Sequence, residues 1–80
     1  MDTYRTALVL GYGRSGRAAE RLLRAEGCDT TVLTQETAGE AEVGHVLRTK
    51  EFDVCIVSPG FAFSHPWLGA VRTAGVPLLS

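Results

Sequence analysis

Four short apolar runs are spaced along the chain, and each is bounded by glycine, proline or polar residues. The runs cover Thr6–Leu10, Thr30–Leu33, Phe52–Val57 and Val76–Leu79. The first and third are nearly continuous in apolar side chains, which is typical of parallel strands covered on both faces. The second is rich in β-branched residues, which favour extended backbone. The pattern therefore predicts four short strands.

Between the first two predicted strands, over residues 15–26, apolar residues recur at helical spacing. This period predicts an amphipathic helix. Its predicted inward face consists of Ala18, Ala19, Leu22, Leu23 and Ala25. Arg17, Arg21 and Arg24 lie on the other side and are expected to form a solvated face. Gly27 follows as a residue that can end the helix in the left-handed conformation.

Two further helices are predicted from weaker patterns. After the second strand, Val43, Val46 and Leu47 can share one helix face, although nearby glycines lower the helix propensity. After the third strand, Pro66 suits the first turn of a helix that extends to about Ala74. Its predicted inward residues are Leu68, Val71 and Ala74, and its predicted C-terminal cap is Gly75.

The alternation of strands and helices predicts an α/β fold in which right-handed crossovers build a parallel sheet. We expect one Rossmann-like domain over residues 1–80. Its three layers are a small parallel sheet of about four strands and helices on both faces of that sheet. Because domains seldom finish on an uncovered strand, we also expect this chain to be part of a longer protein.

The overall composition narrows the classes of protein that fit this fold. Hydrophobic residues make up 45% of the chain and charged residues 21%, which excludes a disordered or collagen-like chain. The net charge of −1 gives no overall field that would attract nucleic acid or an anionic membrane. Met1–Leu10 lacks the features of a secretion signal, which favours a cytoplasmic location. Cys28 and Cys55 lack the spacing of a metal or redox pair and are expected to be reduced, buried thiols.

Other residues that can carry chemistry have simpler interpretations. His45 and His65 have no acidic or cysteine partner at metal-ligand spacing, so we predict no metal site and no catalytic residue. His45 is expected to be solvated, and His65, which precedes a proline, to begin a helix. Phe61, Phe63 and Trp67 favour ordinary packing, with a base-binding pocket or a seat for a neighbouring domain as the alternative.

A glycine-rich turn joins the first strand to the first helix. Residues 11–16 read GYGRSG and fit the pattern G-x-G-x-x-G. The first glycine allows the tight turn, Gly13 lets the backbone approach a pyrophosphate, and Gly16 lets the helix pack closely on the sheet. Backbone N–H groups at the helix start favour a bound phosphate, to which Arg14 and Ser15 can add a cation and a hydroxyl. The turn predicts a phosphate-bearing ligand, and a compact connection without a ligand is the alternative.

The residues after the second strand bear on which ligand this is. A dinucleotide-binding domain usually carries an acidic residue there, about 20 residues beyond the glycines, to bind the ribose. This sequence has Thr34, Gln35 and Glu36 at that place. Because Glu36 comes late, the pattern weakens a dinucleotide interpretation and leaves it open.

A second set of motifs accompanies the glycine-rich turn. Ser58-Pro59-Gly60 ends the third strand, Ser64-His65-Pro66 opens the third helix, and Ala74-Gly75-Val76-Pro77 enters the fourth strand. Together with the turn, these motifs resemble the N-terminal domain of the Mur ligases, in particular the members that add D-glutamate to the peptidoglycan precursor. The resemblance covers essentially all 80 residues.

This resemblance implies a domain that binds the UDP portion of UDP-N-acetylmuramoyl-L-alanine. It places the pyrophosphate against Gly13, Arg14, Ser15 and Gly16. It places the uracil end near Thr34, Gln35 and Glu36 and near Ser58, Pro59 and Gly60. The family commonly has an acidic residue at the end of the second strand, where this chain has Thr34.

The resemblance also implies partners outside these residues. In the complete ligases a central domain supplies the ATP-binding loop and the Mg²⁺ ligands, and a C-terminal domain helps to bind the amino acid. This sequence has no G-x-x-x-x-G-K-[ST] motif, and Lys50 is its only lysine. We therefore expect this chain to bind no cofactor itself and to position substrate. Two alternatives stay open, an NAD(P)-binding domain of a dehydrogenase or regulatory protein and a non-enzymatic interaction module.

Overall fold

The computed structural model describes residues 4–36, 38–59 and 65–79, apart from the side chain of Ser15. Within these ranges, strands and helices alternate as predicted. In chain order the elements are β1 (Thr6–Leu10), α1 (Arg14–Ala25), β2 (Asp29–Leu33), α2 (Glu40–Thr49), β3 (Val54–Val57), α3 (Pro66–Thr73) and β4 (Leu78–Leu79). No helix of the described ranges has the length and apolar character needed to cross a membrane.

The four strands form one parallel sheet in the order β2-β1-β3-β4. β2 and β3 therefore flank β1 on opposite sides. Because crossovers between parallel strands are right-handed, the helix that leads to β2 and the helix that leads to β3 lie on opposite faces of the sheet. The structure is the three-layer, Rossmann-like α/β fold that the sequence predicts.

Two apolar clusters fill the spaces between the layers, and β1 contributes to both. Leu8 and Leu10 point into a cluster formed with α2 and α3, whereas Ala7 and Val9 point into a cluster formed with α1. All four side chains have no exposed surface. This alternation is what a central strand covered on both faces requires, and it confirms the interpretation of the first apolar run.

The inward face predicted for α1 is partly wrong. Leu23 is buried and Ala19 half-buried, but Ala18 and Ala25 are exposed and Leu22 is 64% exposed. α1 contacts mainly β1 and β2, so only a narrow stripe of the helix meets the sheet. The apolar side of α1 is therefore wider than the surface that covers it in the described residues.

The other two helices agree more closely with their patterns. In α2, Val43 is buried and Val46 and Leu47 pack partly buried against the same cluster. In α3, Leu68 and Val71 are buried as predicted. Ala74 is exposed instead, because the helix ends at Thr73 and Ala74 is its cap. Gly27 and Gly75 follow their helices with φ of 82° and 78°, the left-handed values predicted for them.

Two strands are shorter than their apolar runs. β3 begins at Val54. Asp53, one residue earlier, donates its N–H to the Thr6 carbonyl at 2.9 Å, and its carboxylate accepts the N–H groups of Arg5 and Thr6 at 2.7 and 3.3 Å. β4 begins at Leu78, since Pro77 has no N–H to donate and joins the sheet only as an acceptor. The Pro77 carbonyl accepts the Cys55 N–H at 2.8 Å.

Candidate functional site

The carboxyl ends of β1 and β3 lie side by side at the centre of the sheet. Leu10 pairs with Val57, so the two strands end at the same level. The connection that leaves β1 leads to β2 on one side of it, and the connection that leaves β3 leads to β4 on the other side. Such a reversal leaves a crevice beyond the strand ends, which is the usual ligand position in open α/β sheets.

The glycine-rich turn and Ser58 border this crevice together. A Cβ atom placed on Gly13 would lie 3.8 Å from Ser58 Oγ. The Gly11 N–H donates to the Leu33 carbonyl at 2.9 Å, and the Ser58 N–H donates to the Leu10 carbonyl at 2.9 Å. These bonds tie the turn to the ends of both strands that flank β1.

The glycines of the turn have different physical roles. Gly11 has φ of 86°, a left-handed conformation that side chains rarely adopt. A Cβ on Gly16 would lie 2.6 Å from the Gly11 carbonyl oxygen and 3.7 Å from Val9 Cγ1, so α1 starts directly against the turn. Gly13 is exposed, and its added Cβ would make only ordinary contact. Packing within the described residues therefore requires glycine at 16 and not at 13.

The first turn of α1 leaves backbone donors open toward the crevice. Gly13 is its N-cap, none of the described side chains caps it, and no acidic residue lies in the first turn. The first helical bond runs from the Arg17 N–H to the Gly13 carbonyl at 3.0 Å. The preceding N–H groups of Arg14, Ser15 and Gly16 have no partner within the helix.

In each of the other two helices, a side chain accepts one of the N-terminal donors. Glu42 Oε1 accepts the Gly39 N–H at 3.1 Å at the start of α2. His65 Nδ1 accepts the Trp67 N–H at 3.2 Å at the start of α3. No described side chain does so at the start of α1, whose first turn also lacks an acidic residue, so its positive end is available to an anion.

A polar network on α1 joins the Glu20–Arg24 pair, which their i, i+4 spacing favours, to Tyr12, whose part in it was not predicted from the sequence. The Tyr12 hydroxyl donates to Glu20 Oε1 at 2.6 Å, and Arg24 Nε donates to Glu20 Oε2 at 3.0 Å. The Arg17 guanidinium lies 5.2 Å from the centre of the Tyr12 ring. The hydrogen bond from Tyr12, followed by that from Arg24, lowers the pKa of Glu20, and the bond to Glu20 raises the pKa of Tyr12. The face of α1 that was predicted to be solvated thus carries side chains that contact one another and hold Tyr12 along the helix.

The residues after β2 lie at the same edge of the sheet. Thr34 is half-buried, and its carbonyl accepts the Ala38 N–H at 2.9 Å. Gln35 and Glu36 are exposed. The terminal amide of Gln35 lies 2.6 Å from His65 Nε2, so the structure joins Gln35 to the start of α3. The sequence predicted a helix start at His65, which is confirmed, and missed its bond to Gln35.

The structure locates only some of the remaining residues that were predicted to form the site. Arg14 and Pro59 are exposed. The side chain of Ser15 and residues Gly60 and Ser64 lie outside the described residues.

Of the three aromatic residues after β3, the structure describes Trp67. Trp67 is 4% exposed in the cluster beneath α2 and α3, and its ring meets the His65 ring edge to face at 5.4 Å. Ordinary packing is therefore confirmed for Trp67. Phe61 and Phe63 lie outside the described residues.

The two cysteines and the two histidines are the side chains most often found in metal or redox sites. Cys28 and Cys55 are both free and buried, as predicted. Burial raises the pKa of the Cys55 thiol to about 12, so this thiol is unreactive in the folded chain. His45 is exposed on α2. The described ranges contain no group of three His, Cys, Asp or Glu residues that could bind a metal.

The sequence of this chain is similar to those of several known ligases. UDP-N-acetylmuramoylalanine–D-glutamate ligase of Prochlorococcus marinus is 36% identical over 92 aligned residues, which include 89% of this chain. The ligase of the same name from a Synechococcus strain is 38% identical over 86 residues, and that of Chlorobium limicola is 34% identical over 94 residues, with 100% of this chain aligned. The chain is a relative of the D-glutamate-adding Mur ligases. No family model and no solved structure matches it.

As a Mur ligase relative, this chain corresponds to one part of much larger proteins. It spans 20% of the length of the Prochlorococcus marinus ligase and 18% of the Synechococcus ligase. The resemblance to the N-terminal domain of these Mur ligases is thus confirmed over nearly the whole chain.

Proposed function

We propose that this chain binds the uridine diphosphate portion of UDP-N-acetylmuramoyl-L-alanine, as the N-terminal domain of an ATP-dependent ligase that adds D-glutamate to the peptidoglycan precursor. One observation carries the proposal. The glycine-rich turn and Ser58 border one crevice at the reversal point of the sheet, in a chain that aligns over 89% of its length with the D-glutamate ligases. A cytoplasmic location is part of the same proposal.

The diphosphate would lie at the start of α1. The N–H groups of Arg14, Ser15 and Gly16 precede the first helical hydrogen bond, and they lie at the positive end of the helix. The exposed Arg14 adds a cation at the same place. Because the net charge of the chain is −1, this attraction must be local. The absence of a side chain at Gly13 leaves room for phosphate oxygens to reach the backbone.

The uridine end would lie between the loop after β2 and the end of β3. Both connections leave the carboxyl edge of the sheet, and Ser58 is half-buried beside the glycine-rich turn. Thr34 stands at this edge in place of an acidic residue. The roles proposed for Ser15 and Gly60 are supported by the sequence alone.

The chemistry of the proposed ligase belongs to other domains. ATP and Mg²⁺ would be bound by a central domain, and a C-terminal domain would help to bind D-glutamate. This chain contributes by holding the nucleotide end of the substrate, which fixes the position of the reacting carboxylate. Such positioning is worth several kcal/mol of a reaction barrier, up to about 10.

The proposal is tested by titrating the ¹⁵N-labelled chain with UDP and, in parallel, with NAD. We expect UDP to shift the amide signals of residues 11–16 and of Ser58, and NAD to leave them unchanged. A response to NAD alone would identify a dinucleotide-binding domain. Silence with both ligands would favour an interaction module and overturn the proposal.

A matched pair of glycine variants sharpens this test. The Cβ of Gly13→Ala meets only ordinary contacts, and that of Gly69→Ala, on α3, meets nothing within 4 Å. Both variants are expected to fold. Gly13→Ala should weaken UDP binding by about tenfold, because the methyl group occupies the space that the phosphates need. Gly69→Ala should bind UDP as the parent chain does, and equal affinities in the two variants would contradict a diphosphate at Gly13.

A further inference from the structure

The contact between Gln35 and His65 connects two parts of the sheet that are not neighbours. Gln35 lies two residues beyond the end of β2, and His65 is the N-cap of α3, which follows β3. β1 separates these strands in the sheet. A bond between the two side chains therefore spans the width of β1 at the carboxyl edge where the glycine-rich turn begins.

The hydrogen-bond partners of His65 define its tautomer. Nδ1 accepts the Trp67 N–H at 3.2 Å and so carries no proton. A neutral imidazole has one acceptor and one donor nitrogen, so Nε2 carries the proton. Gln35 Nε2 lies 2.6 Å from His65 Nε2. Two donors do not bond to each other, so we place the Gln35 amide a half-turn round, with its oxygen, the only acceptor on the side chain, facing that proton. His65 is therefore the donor and Gln35 the acceptor.

His65 is the fixed member of this pair. Its ring packs edge to face on Trp67, which is 4% exposed, and its backbone precedes the rigid Pro66 that begins α3. Gln35 is exposed and lies in the connection between β2 and α2. A bond from an anchored donor to an exposed acceptor holds the loop of residues 34–36 and leaves α3 in place.

We propose that Gln35 and His65 form a positioning pair, which holds the loop after β2 in the conformation that accepts the uridine end of the nucleotide. This inference rests on the proposed function, and it assigns Gln35 a positioning role in place of the ligand contact expected from the sequence. Without the bond, the loop populates other conformations. The apparent dissociation constant then rises by the inverse of the competent fraction.

The test is a double-mutant cycle with UDP as the ligand and calorimetry as the measurement. Gln35→Ala removes the acceptor. His65→Asn keeps a side-chain acceptor for the α3 cap but is too short to reach residue 35. Each single variant should bind UDP about fivefold more weakly, as loss of one hydrogen bond implies, and the double variant should be no weaker than either single variant. His45→Asn, an exposed histidine on α2, is the control and should bind as the parent chain does.

A spectroscopic measurement on the ligand-free chain tests the pair independently of UDP. Long-range ¹H–¹⁵N correlation should show the Nε2–H tautomer of His65, and Gln35→Ala should shift the Nε2 resonance while the α3 cap persists. The opposite tautomer would overturn the inference. So would UDP affinities that are unchanged or strictly additive in the variants, in which case the proposed function stands. A parent chain that does not bind UDP would overturn both.

Discussion

At the scale of single residues, the three glycines of the turn separate into those that the fold needs and one that it does not. Gly16 faces a hard steric limit, because its added Cβ would lie 2.6 Å from a backbone oxygen of Gly11. Backbone atoms cannot rotate away as a long side chain can. Gly13 has φ of −81° and space around it, so neither strain nor packing in the described residues explains a glycine there. A ligand does.

This difference predicts that replacement by alanine destabilises the fold at Gly16 and has little effect on stability at Gly13. Gly16→Ala should lower the free energy of unfolding by about 1–3 kcal/mol, although alanine is the better helix former, because the overlap must be relieved by backbone movement. Gly13→Ala should change it by less than about 1 kcal/mol. Urea denaturation measures both, and a Gly16→Ala chain as stable as the parent would contradict the close approach of α1 to the turn.

At the scale of elements, α1 illustrates what a helical period predicts and what it leaves open. The period located the helix to within one residue at each end. It could not determine how wide a stripe the sheet covers, because that depends on which strands lie beneath the helix. Arg24 Nη2 donates to the Thr30 carbonyl of β2 at 3.0 Å, which holds the polar flank over β2. The opposite flank, with Leu22, is left exposed.

Two adjacent leucines of α1 therefore provide a test of its orientation. Leu23 is 8% exposed, and its truncation to alanine should cost about 2–4 kcal/mol of unfolding free energy, since buried contacts are lost and a cavity remains. Leu22 is 64% exposed, and Leu22→Ala should change the stability by no more than about 0.5 kcal/mol. Thermal or urea unfolding distinguishes the two. Equal costs would mean that α1 is rotated about its axis from the orientation described.

Strand limits depend on contacts that a local pattern does not contain. The run from Phe52 predicted a longer third strand, whereas β3 begins at Val54, and Asp53 just before it bonds to Arg5 and Thr6, which are almost fifty positions away in sequence. Pro77 limits β4 for a reason that the sequence does contain, since proline lacks a ladder donor. The first difference could not have been predicted locally, and the second could.

At the scale of the whole molecule, the sheet order determines which predicted site residues meet. The meeting of Gly13 and Ser58 follows from a general rule, because parallel strands present their carboxyl ends at one edge. The bond between Gln35 and His65 does not follow from that rule. It depends on the paths of two connections, which strand and helix patterns leave undetermined. The crevice was therefore predictable from the sequence, and its internal bonding was not.

The two apolar clusters should unfold together, because β1 supplies buried side chains to both and neither cluster can form without it. Trp67, the only tryptophan, reports on the α2–α3 side of the sheet, and Cys28 lies in the cluster on the α1 side. We expect the urea midpoint from Trp67 fluorescence to coincide with the midpoint for alkylation of Cys28, located by mass spectrometry, with a slope of about 1 kcal/mol/M as a small two-state domain gives. Two separate midpoints would instead mean that one face opens while the other stays folded, and that β1 does not couple them.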